Sequence, residues 1–91
     1  MSSLDDVYEA MRAFVLAFRE FNGDLEQSMQ TLHERHEDIS GLWTDEAARA
    51  YHQQFGPFDE MLRRYTTQEG PRLEQFIEEK LKLLERYLLG D

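Results

Sequence analysis

The chain has 91 residues, no cysteine and a net charge of −9, from 19 acidic residues against 10 lysines and arginines. This length allows one domain with a small core, and the lack of cysteine excludes disulfides and thiolate metal sites. The acidic balance argues against nucleic acid and anionic membranes as partners, because both need clustered Lys and Arg. The charge is also uneven, since residues 1–45 carry ten acids and three bases, and residues 46–91 carry nine and seven.

The first arm, residues 4–39, has the apolar period of a long amphipathic helix. Ser2 or Ser3 can cap it, and Asp5 and Asp6 suit its first turn. Apolar residues then recur every three or four positions, close to a heptad pattern, which predicts a face that packs against another helix. This stripe consists of Leu4, Val7, Met11, Phe14, Phe18, Phe21, Leu25, Met29, Leu32 and Ile39.

Two structures remain open at Gly23. The glycine can end one helix and let the next residue cap another, or one helix can continue through it at a cost of about 1 kcal/mol. The stripe keeps its phase from Phe18 through Phe21 to Leu25, which a loop would usually break. We therefore favour one continuous helix, about 54 Å long at ~1.5 Å per residue.

A second apolar group flanks the stripe in the N-terminal half of the first arm. It consists of Val15 and Leu16 with Ala10, Ala13 and Ala17. One partner helix covers only part of so wide an arc. This group predicts a second contact surface, for another chain.

The elbow of the chain is predicted at residues 40–44, between the two arms. Gly41 suits the position just past a helix C-terminus, and Leu42 falls where an apolar residue commonly packs back on the last turn. Thr44 or Asp45 can cap the next helix. Helix stop and helix start are thus separated by only a few residues, which predicts a tight turn.

Trp43, the only tryptophan, lies inside this elbow. One interpretation is a hydrophobic plug that closes the end of the hairpin. The other is a recognition element, formed with Leu42 and Asp45, that a partner contacts. We favour the plug as the primary role, and the two roles are compatible.

The second arm, residues 45–89, shows the same spacing. Its apolar residues are Ala47, Tyr51, Phe55, Phe58, Leu62, Tyr65, Leu73, Phe76, Ile77, Leu81, Leu84 and Leu88. Leu62 and Leu73 lie eleven residues apart, which is about three helical turns. The arm is therefore predicted to keep one face throughout and to end at Gly90.

Two prolines should disturb this second arm. Pro57 and Pro71 each follow a glycine, and proline inside a helix loses a hydrogen bond and clashes with the preceding turn. Because the apolar phase persists, we expect kinks or short breaks that keep the direction of the arm. Thr66 or Thr67 could cap a new segment if the chain breaks before Pro71.

The sequence carries no alternating pattern typical of strands, so the predicted fold class is all-α. We predict a single domain that forms an antiparallel two-helix hairpin, with arm 4–39, elbow 40–44 and kinked arm 45–89. A lone hairpin buries one stripe per helix, so two hairpins should pack as a four-helix-bundle dimer. The predicted core of hairpin or dimer includes Phe14, Phe18, Phe21, Leu25, Phe55, Phe58, Leu62 and Phe76.

The side chains that support chemistry form no convincing site. His33 and His36 with Glu34 and Glu37 could hold zinc or nickel, but the Glu-x-x-His pairing of di-iron bundles is missing. His52 lies across the elbow and could approach them. A solvated face, with His36 partly filling the seam between the arms, is the simpler interpretation. The serines lack a glycine-framed turn and the glycines are scattered, so we predict no enzyme, no metal and no cofactor.

The segment from Trp43 to Tyr51, together with the length and the two amphipathic helices, resembles the WXG-type proteins of type VII secretion, the family of the early secreted antigens. Members form a helical hairpin with the tryptophan at the bend and commonly dimerise with themselves or a paralogue. The chain departs from the family at Asp45, where members have glycine, and in its two prolines. Aspartate can also cap a helix, so the fold tolerates this change better than the family assignment does.

The family's secretion signal is Tyr-x-x-x-Asp/Glu after the second helix. Tyr87 and Asp91 match it at the C-terminus, and Tyr65 and Glu69 match it too. The resemblance implies that Tyr87 and Asp91 form the signal. The alternative is an ordinary helix end at which Tyr87 packs.

The resemblance implies a non-enzymatic secreted substrate or adaptor of a type VII-like system that acts through dimerisation. Its partners would be itself or a paralogous hairpin, and the secretion machinery. The N-terminus lacks the basic and apolar regions of a signal peptide, so we expect secretion without a cleaved leader, or a cytoplasmic location. The alternatives are a cytosolic chaperone or scaffold for a larger helical partner, and a membrane-active amphipathic protein, against which the acidic charge argues.

Overall fold

The structure, a computed structural model, describes residues 3–90 and is built from helices. Helix α1 spans Leu4–Leu42, helix α2 spans Glu46–Arg64, and helix α3 spans Gly70–Leu89. A π-helical turn, Tyr65–Glu69, joins α2 to α3 without a loop. The predicted all-α helix–turn–helix fold is confirmed: α1 is the first arm, and α2, the π-helical turn and α3 form the second.

The two arms lie side by side in an extended rod of 65 × 23 × 16 Å. The radius of gyration is 19.8 Å, against about 12 Å for a compact domain of this length. Two helices alone enclose little volume, and the buried apolar side chains of residues 3–90 are Val15 and Ala48. The core of one chain is therefore a single seam between the arms.

Helix α1 begins with a reciprocal cap and runs without interruption through Gly23, as predicted. The Asp6 backbone N–H donates to Ser3 Oγ at 3.2 Å, and the Ser3 N–H donates to Asp6 Oδ2 at 3.3 Å, which satisfies two otherwise free donors. The helix ends later than expected. Gly41 lies inside α1 rather than beyond it, and the backbone turns only at Trp43.

The seam lines the inner side of each arm. On α1 its residues recur at steps of three and four, which is the heptad spacing of helices that pack at a shallow angle. They are Tyr8, Met11, Val15, Phe18, Asn22, Leu25, Met29, His33, His36 and Ser40. On the second arm they include Ala48, Tyr51, Phe55, Asp59, Leu62, Thr66, Gly70, Glu74, Ile77, Leu81, Leu84 and Leu88.

The prolines do not break the second arm. Pro57 lies inside α2, and Pro71 lies in the first turn of α3, directly after the π-helical turn. A π-helical turn is wider than an α-helical one and accommodates an insertion that a regular helix does not. Thr66 and Thr67 cap no new segment. Their hydroxyls donate to the Arg63 carbonyl of the preceding turn, at 3.1 and 2.7 Å.

A polar junction crosses the seam beside this turn. The Tyr65 hydroxyl donates to Asn22 Oδ1 at 2.7 Å, and Asn22 Nδ2 donates to Glu74 Oε1 at 2.9 Å. Gly70 is buried at this junction. A Cβ added to it would lie 3.1 Å from the Tyr65 carbonyl oxygen and 3.5 Å from Asn22 Nδ2. The missing side chain lets α1 and the second arm meet closely at mid-length.

The π-helical turn also corrects the predicted phase of the second arm. The turn contains one residue more than an α-helical turn would, so the inner face passes from Leu62 through Thr66 and Gly70 to Glu74. Leu73, predicted to share the inner face of Leu62, is instead exposed. Phe76 is exposed as well. The later predicted residues of α3 lie in the seam as expected, and they are Ile77, Leu81, Leu84 and Leu88.

One hydrogen bond closes the open end of the rod, where the termini lie. The Tyr8 hydroxyl donates to Glu85 Oε1 at 2.9 Å, and this bond, followed by desolvation and the carboxylate charge, raises the pKa of Tyr8 above its ordinary 10.0. A group with a raised folded-state pKa stabilises the fold below its unfolded pKa and loses that contribution as the pH rises through the folded value.

We expect the melting temperature to fall more between about pH 9 and about pH 11 in the unmodified chain than in Tyr8→Phe. The reason is that ionisation removes the proton that the Tyr8 hydroxyl donates to Glu85, whereas phenylalanine has no such bond to lose. Circular dichroism melts of both proteins at several pH values measure this difference. Parallel pH profiles would show that the Tyr8 bond does not stabilise the open end.

Candidate functional site

The elbow consists of residues 43–45, slightly later than predicted. The Trp43 N–H donates to the Ile39 carbonyl at 2.8 Å and ends α1. Asp45 caps α2, because its Oδ1 accepts from the Ala48 N–H at 3.1 Å. The two caps explain why three residues suffice to reverse the chain.

An aromatic group, here called the elbow cluster, packs beneath this turn. It consists of Trp43, Tyr51, Phe55, His36 and His52. The Trp43 ring lies 5.8 Å from Tyr51, and the His36 ring stacks on Phe55 with centroids 4.0 Å apart. His36 Nδ1 lies 3.0 Å from the Tyr51 hydroxyl oxygen. The imidazole thus partly fills the seam, as predicted, and the structure adds a polar partner for its nitrogen.

Trp43 and Leu42 differ in exposure. Trp43 is 37% exposed and packs by one side against the cluster, whereas Leu42 is 88% exposed at the tip. Leu42 does not pack back on the last turn, because that turn continues as helix to Leu42 itself. The elbow therefore has an anchored tryptophan beside a projecting leucine. A recognition role for Leu42, Trp43 and Asp45 remains a prediction.

His36 and His52 pack with aromatic rings, whereas His33 lies near two carboxylates, with Nε2 3.5 Å from Glu37 Oε1 and Nδ1 4.0 Å from Asp59 Oδ1. The His36 ring centroid lies 6.4 Å from His33 and 5.3 Å from His52. Within residues 3–90 no group of three His, Asp or Glu side chains is placed to hold a metal ion. The same part of the chain has no helix that is both long and apolar enough to cross a membrane.

The largest candidate surface is an apolar face along the whole rod. Seen along α1, Phe14 and Phe21 project to one side of the seam and Arg19 to the other. On α3, Phe76 lies on the opposite side of the seam from Glu78. Because Arg19 forms an ion pair with Glu78, the phenylalanines of both arms must lie on the same face.

Among residues 3–90, no side chain or helix covers this apolar face. Its exposed side chains are Val7, Phe14, Phe21, Leu32, Ile39, Phe58, Met61, Leu73, Phe76, Leu83 and Tyr87. These side chains extend from one end of the rod to the other. Large exposed apolar patches are typical of surfaces that contact another molecule.

The opposite side of the rod is polar. It holds the Arg19–Glu78 pair, and Arg63 Nη2 lies 3.1 Å from Asp59 Oδ2. His33 Nδ1 approaches the same carboxylate at 4.0 Å. The rod therefore has one face suited to water and one suited to a protein interior.

The total accessible area gives the scale of the uncovered surface. The chain exposes 7310 Å², whereas a compact monomer of 10.9 kDa exposes about 5,600 Å². The excess is roughly 1,700 Å² per chain. Two copies that covered it would bury an area within the range of permanent dimers, roughly 2,000–5,000 Å² in total.

The residues predicted as core divide between two environments. Phe18, Leu25, Phe55 and Leu62 are half-buried in the seam of one hairpin. The other four lie exposed on the apolar face, where only a second molecule could cover them. These are Phe14, Phe21, Phe58 and Phe76.

The two tyrosine motifs also differ in their surroundings. Tyr65 is half-buried and bonded to Asn22, so its hydroxyl has a structural partner. Tyr87 is 75% exposed in the last turn of α3, which ends at Gly90 in a left-handed conformation with φ of 76°. Asp91, the second residue of the predicted signal, lies outside the described residues.

Four residues determine how the arms meet. The prediction missed three of them and placed the fourth, Val15, on a second surface for another chain, whereas it is buried between the arms. Val15 and Ala48 are the buried apolar side chains, and Asn22 and Gly70 form the polar junction. A heptad count through Tyr8, Val15 and Asn22 would have found the inner line of α1. The larger phenylalanines one position earlier concealed it.

Comparison with known proteins identifies no relative. No family model matches the chain, and neither a curated protein nor a solved structure does. The resemblance to the WXG-type proteins therefore rests on the residues around Trp43 and on the hairpin.

Proposed function

We propose that this chain is a non-enzymatic, WXG-like helical hairpin that dimerises and serves as a secreted substrate or adaptor of a type VII-like secretion system. The observation that carries the proposal is the hairpin itself: two long helices reverse at Trp43 and leave one apolar face uncovered. An uncovered apolar face on a pair of helices is suited to packing against other helices in a four-helix bundle. A second hairpin of the same length would supply it.

Tyr87 supports the secretion part of the proposal. Its exposed ring on the last turn is accessible to a receptor, whereas Tyr65 is held by Asn22. Asp91 completes the motif in sequence. The apolar face also fits a cytosolic chaperone or scaffold for a larger helical partner, and that function would need neither Tyr87 nor Asp91.

We expect Tyr87→Ala to abolish export while the protein still accumulates in the cell. The measurement compares the protein in culture medium and lysate of the source cell, with a cytosolic marker to exclude lysis. Leu89→Ala is the matched control, since Leu89 is equally exposed at 75% and occupies a variable position of the motif. Its export should be unchanged.

The other outcomes separate the alternatives. Export that persists in Tyr87→Ala would keep secretion and discard this signal. Export lost equally in both variants would point to a general defect of the C-terminal helix. A protein confined to the lysate in its unmodified form would favour the cytosolic interaction function.

A further inference from the structure

Asn22 is the only asparagine of the chain, and a glycine follows it. This pair is chemically reactive, because the backbone nitrogen of the following residue can attack the side-chain amide carbon and glycine has no side chain to hinder that attack. No glutamine or aspartate in the sequence precedes a glycine. Asn22 is therefore the position at which the chain is most prone to lose an amide group.

The folded hairpin holds this pair in an unreactive arrangement. Gly23 lies in the middle of α1, where its backbone N–H donates to the carbonyl four residues earlier. The Asn22 amide is bound to the second arm, because its Oδ1 accepts from the Tyr65 hydroxyl at 2.7 Å and its Nδ2 donates to Glu74 Oε1 at 2.9 Å. The attack would have to break the helical bond of Gly23 and free the amide from both partners.

We propose that Asn22 is a deamidation site that the folded hairpin protects and the unfolded chain exposes. In the unfolded chain the Gly23 nitrogen forms a bond to Asn22 Cγ, the Cγ–Nδ2 bond breaks, and the amide nitrogen leaves as ammonia with the proton of the Gly23 N–H. Water then opens the resulting ring. Cleavage between Cγ and the Gly23 nitrogen leaves aspartate at position 22, and cleavage of the other ring bond to that nitrogen leaves isoaspartate.

Neither product can rebuild the polar junction. A carboxylate at position 22 still accepts from Tyr65, but it has no N–H for Glu74, so two carboxylates face each other there. Glu26 lines the same groove, and Arg19 already forms an ion pair with Glu78. Isoaspartate also adds a backbone atom to α1, which disrupts its hydrogen-bond register. A chain that reacts while unfolded therefore refolds to a less stable hairpin, whatever the partner or location of the protein.

The site is tested by incubating the folded protein and the protein in guanidinium chloride at one mildly alkaline pH. Mass spectrometry of peptides follows the conversion of the Asn22 amide to an acid. We expect the conversion to be at least about tenfold slower in the folded protein, because the reaction follows the small population of unfolded chains. Equal rates would overturn the protection, and an amide that survives in the denatured chain would overturn the site.

Gly23→Ala is the matched control for the chemistry. A Cβ at Gly23 meets no atom within 4 Å in the folded hairpin, and its methyl group hinders the attacking nitrogen. The denatured variant should therefore lose its amide more slowly than the denatured unmodified chain. Equal loss from the two denatured chains would show that the Gly23 nitrogen is not the attacking group.

The effect on the hairpin is tested separately, because Asn22→Asp installs the aspartate product directly. Its denaturation midpoint should be lower than that of the unmodified chain. Adding Glu74→Gln exchanges donor and acceptor across the seam, so the double variant should recover much of the lost midpoint. Recovery would support the proposal even where Asn22→Asp alone does not fold. An unchanged midpoint in Asn22→Asp, or no recovery in the double variant, would overturn the claim that deamidation acts through the polar junction.

Discussion

Gly70→Leu is expected to lower the free energy of unfolding by about 1–3 kcal/mol, the usual cost of overpacking a close contact. The first added carbon alone would lie 3.1 Å from the Tyr65 carbonyl oxygen and 3.3 Å from the Tyr65 ring. The rest of the side chain must displace Tyr65 or Asn22 and so disturb their 2.7 Å hydrogen bond. Chemical denaturation followed by circular dichroism measures the loss.

Gly56→Leu is the matched control, because Gly56 also lies in the second arm and also precedes a proline. An added Cβ there meets nothing within 4 Å. The restriction that proline imposes on the preceding residue is common to both sites, so the difference between the variants isolates the close contact. Equal stability of the two variants would contradict the polar junction at Gly70.

The helices and their caps could be predicted from local sequence. The caps at Ser3, with Asp6, and at Asp45 favour helix starts at these positions, and α1 and α2 begin there. The apolar spacing of both arms favours helices, and both arms are helical. Helical phase through Gly23 proved a better guide than the glycine itself, since a single glycine costs a long helix about 1 kcal/mol. The same logic failed at Gly41, where glycine is tolerated inside the last turn.

The orientation of the second arm could not be predicted from spacing alone. A regular helix keeps Leu62 and Leu73 in phase, but the π-helical turn before Pro71 inserts one residue and rotates α3. The predicted stripe on α1 likewise merged two lines, the inner one through Phe18 and Leu25 and the outer one through Phe14 and Phe21. Both lines are apolar, although only the inner line faces the other arm. Spacing alone therefore does not separate them.

That outer line makes Phe21→Glu the substitution with the largest expected effect on self-association. Phe21 is 55% exposed in a single hairpin and lies near the middle of the apolar face. A carboxylate buried there against another apolar surface would have no partner charge, which costs several kcal/mol. Loss of a central aromatic anchor alone contributes about 2 kcal/mol or more. We therefore expect at least a 30-fold weaker dimer, measured by sedimentation equilibrium.

Leu16→Glu provides the control for charge and helix propensity. Leu16 is on the same helix and 56% exposed, but it projects to the side of α1 away from Phe21. Its variant should keep the dimer, and both variants should keep the helical circular dichroism signal of the hairpin. Equal dissociation of the two variants would remove the apolar face as the interface, and dissociation in Leu16→Glu alone would move the contact to the alanine-rich side of α1.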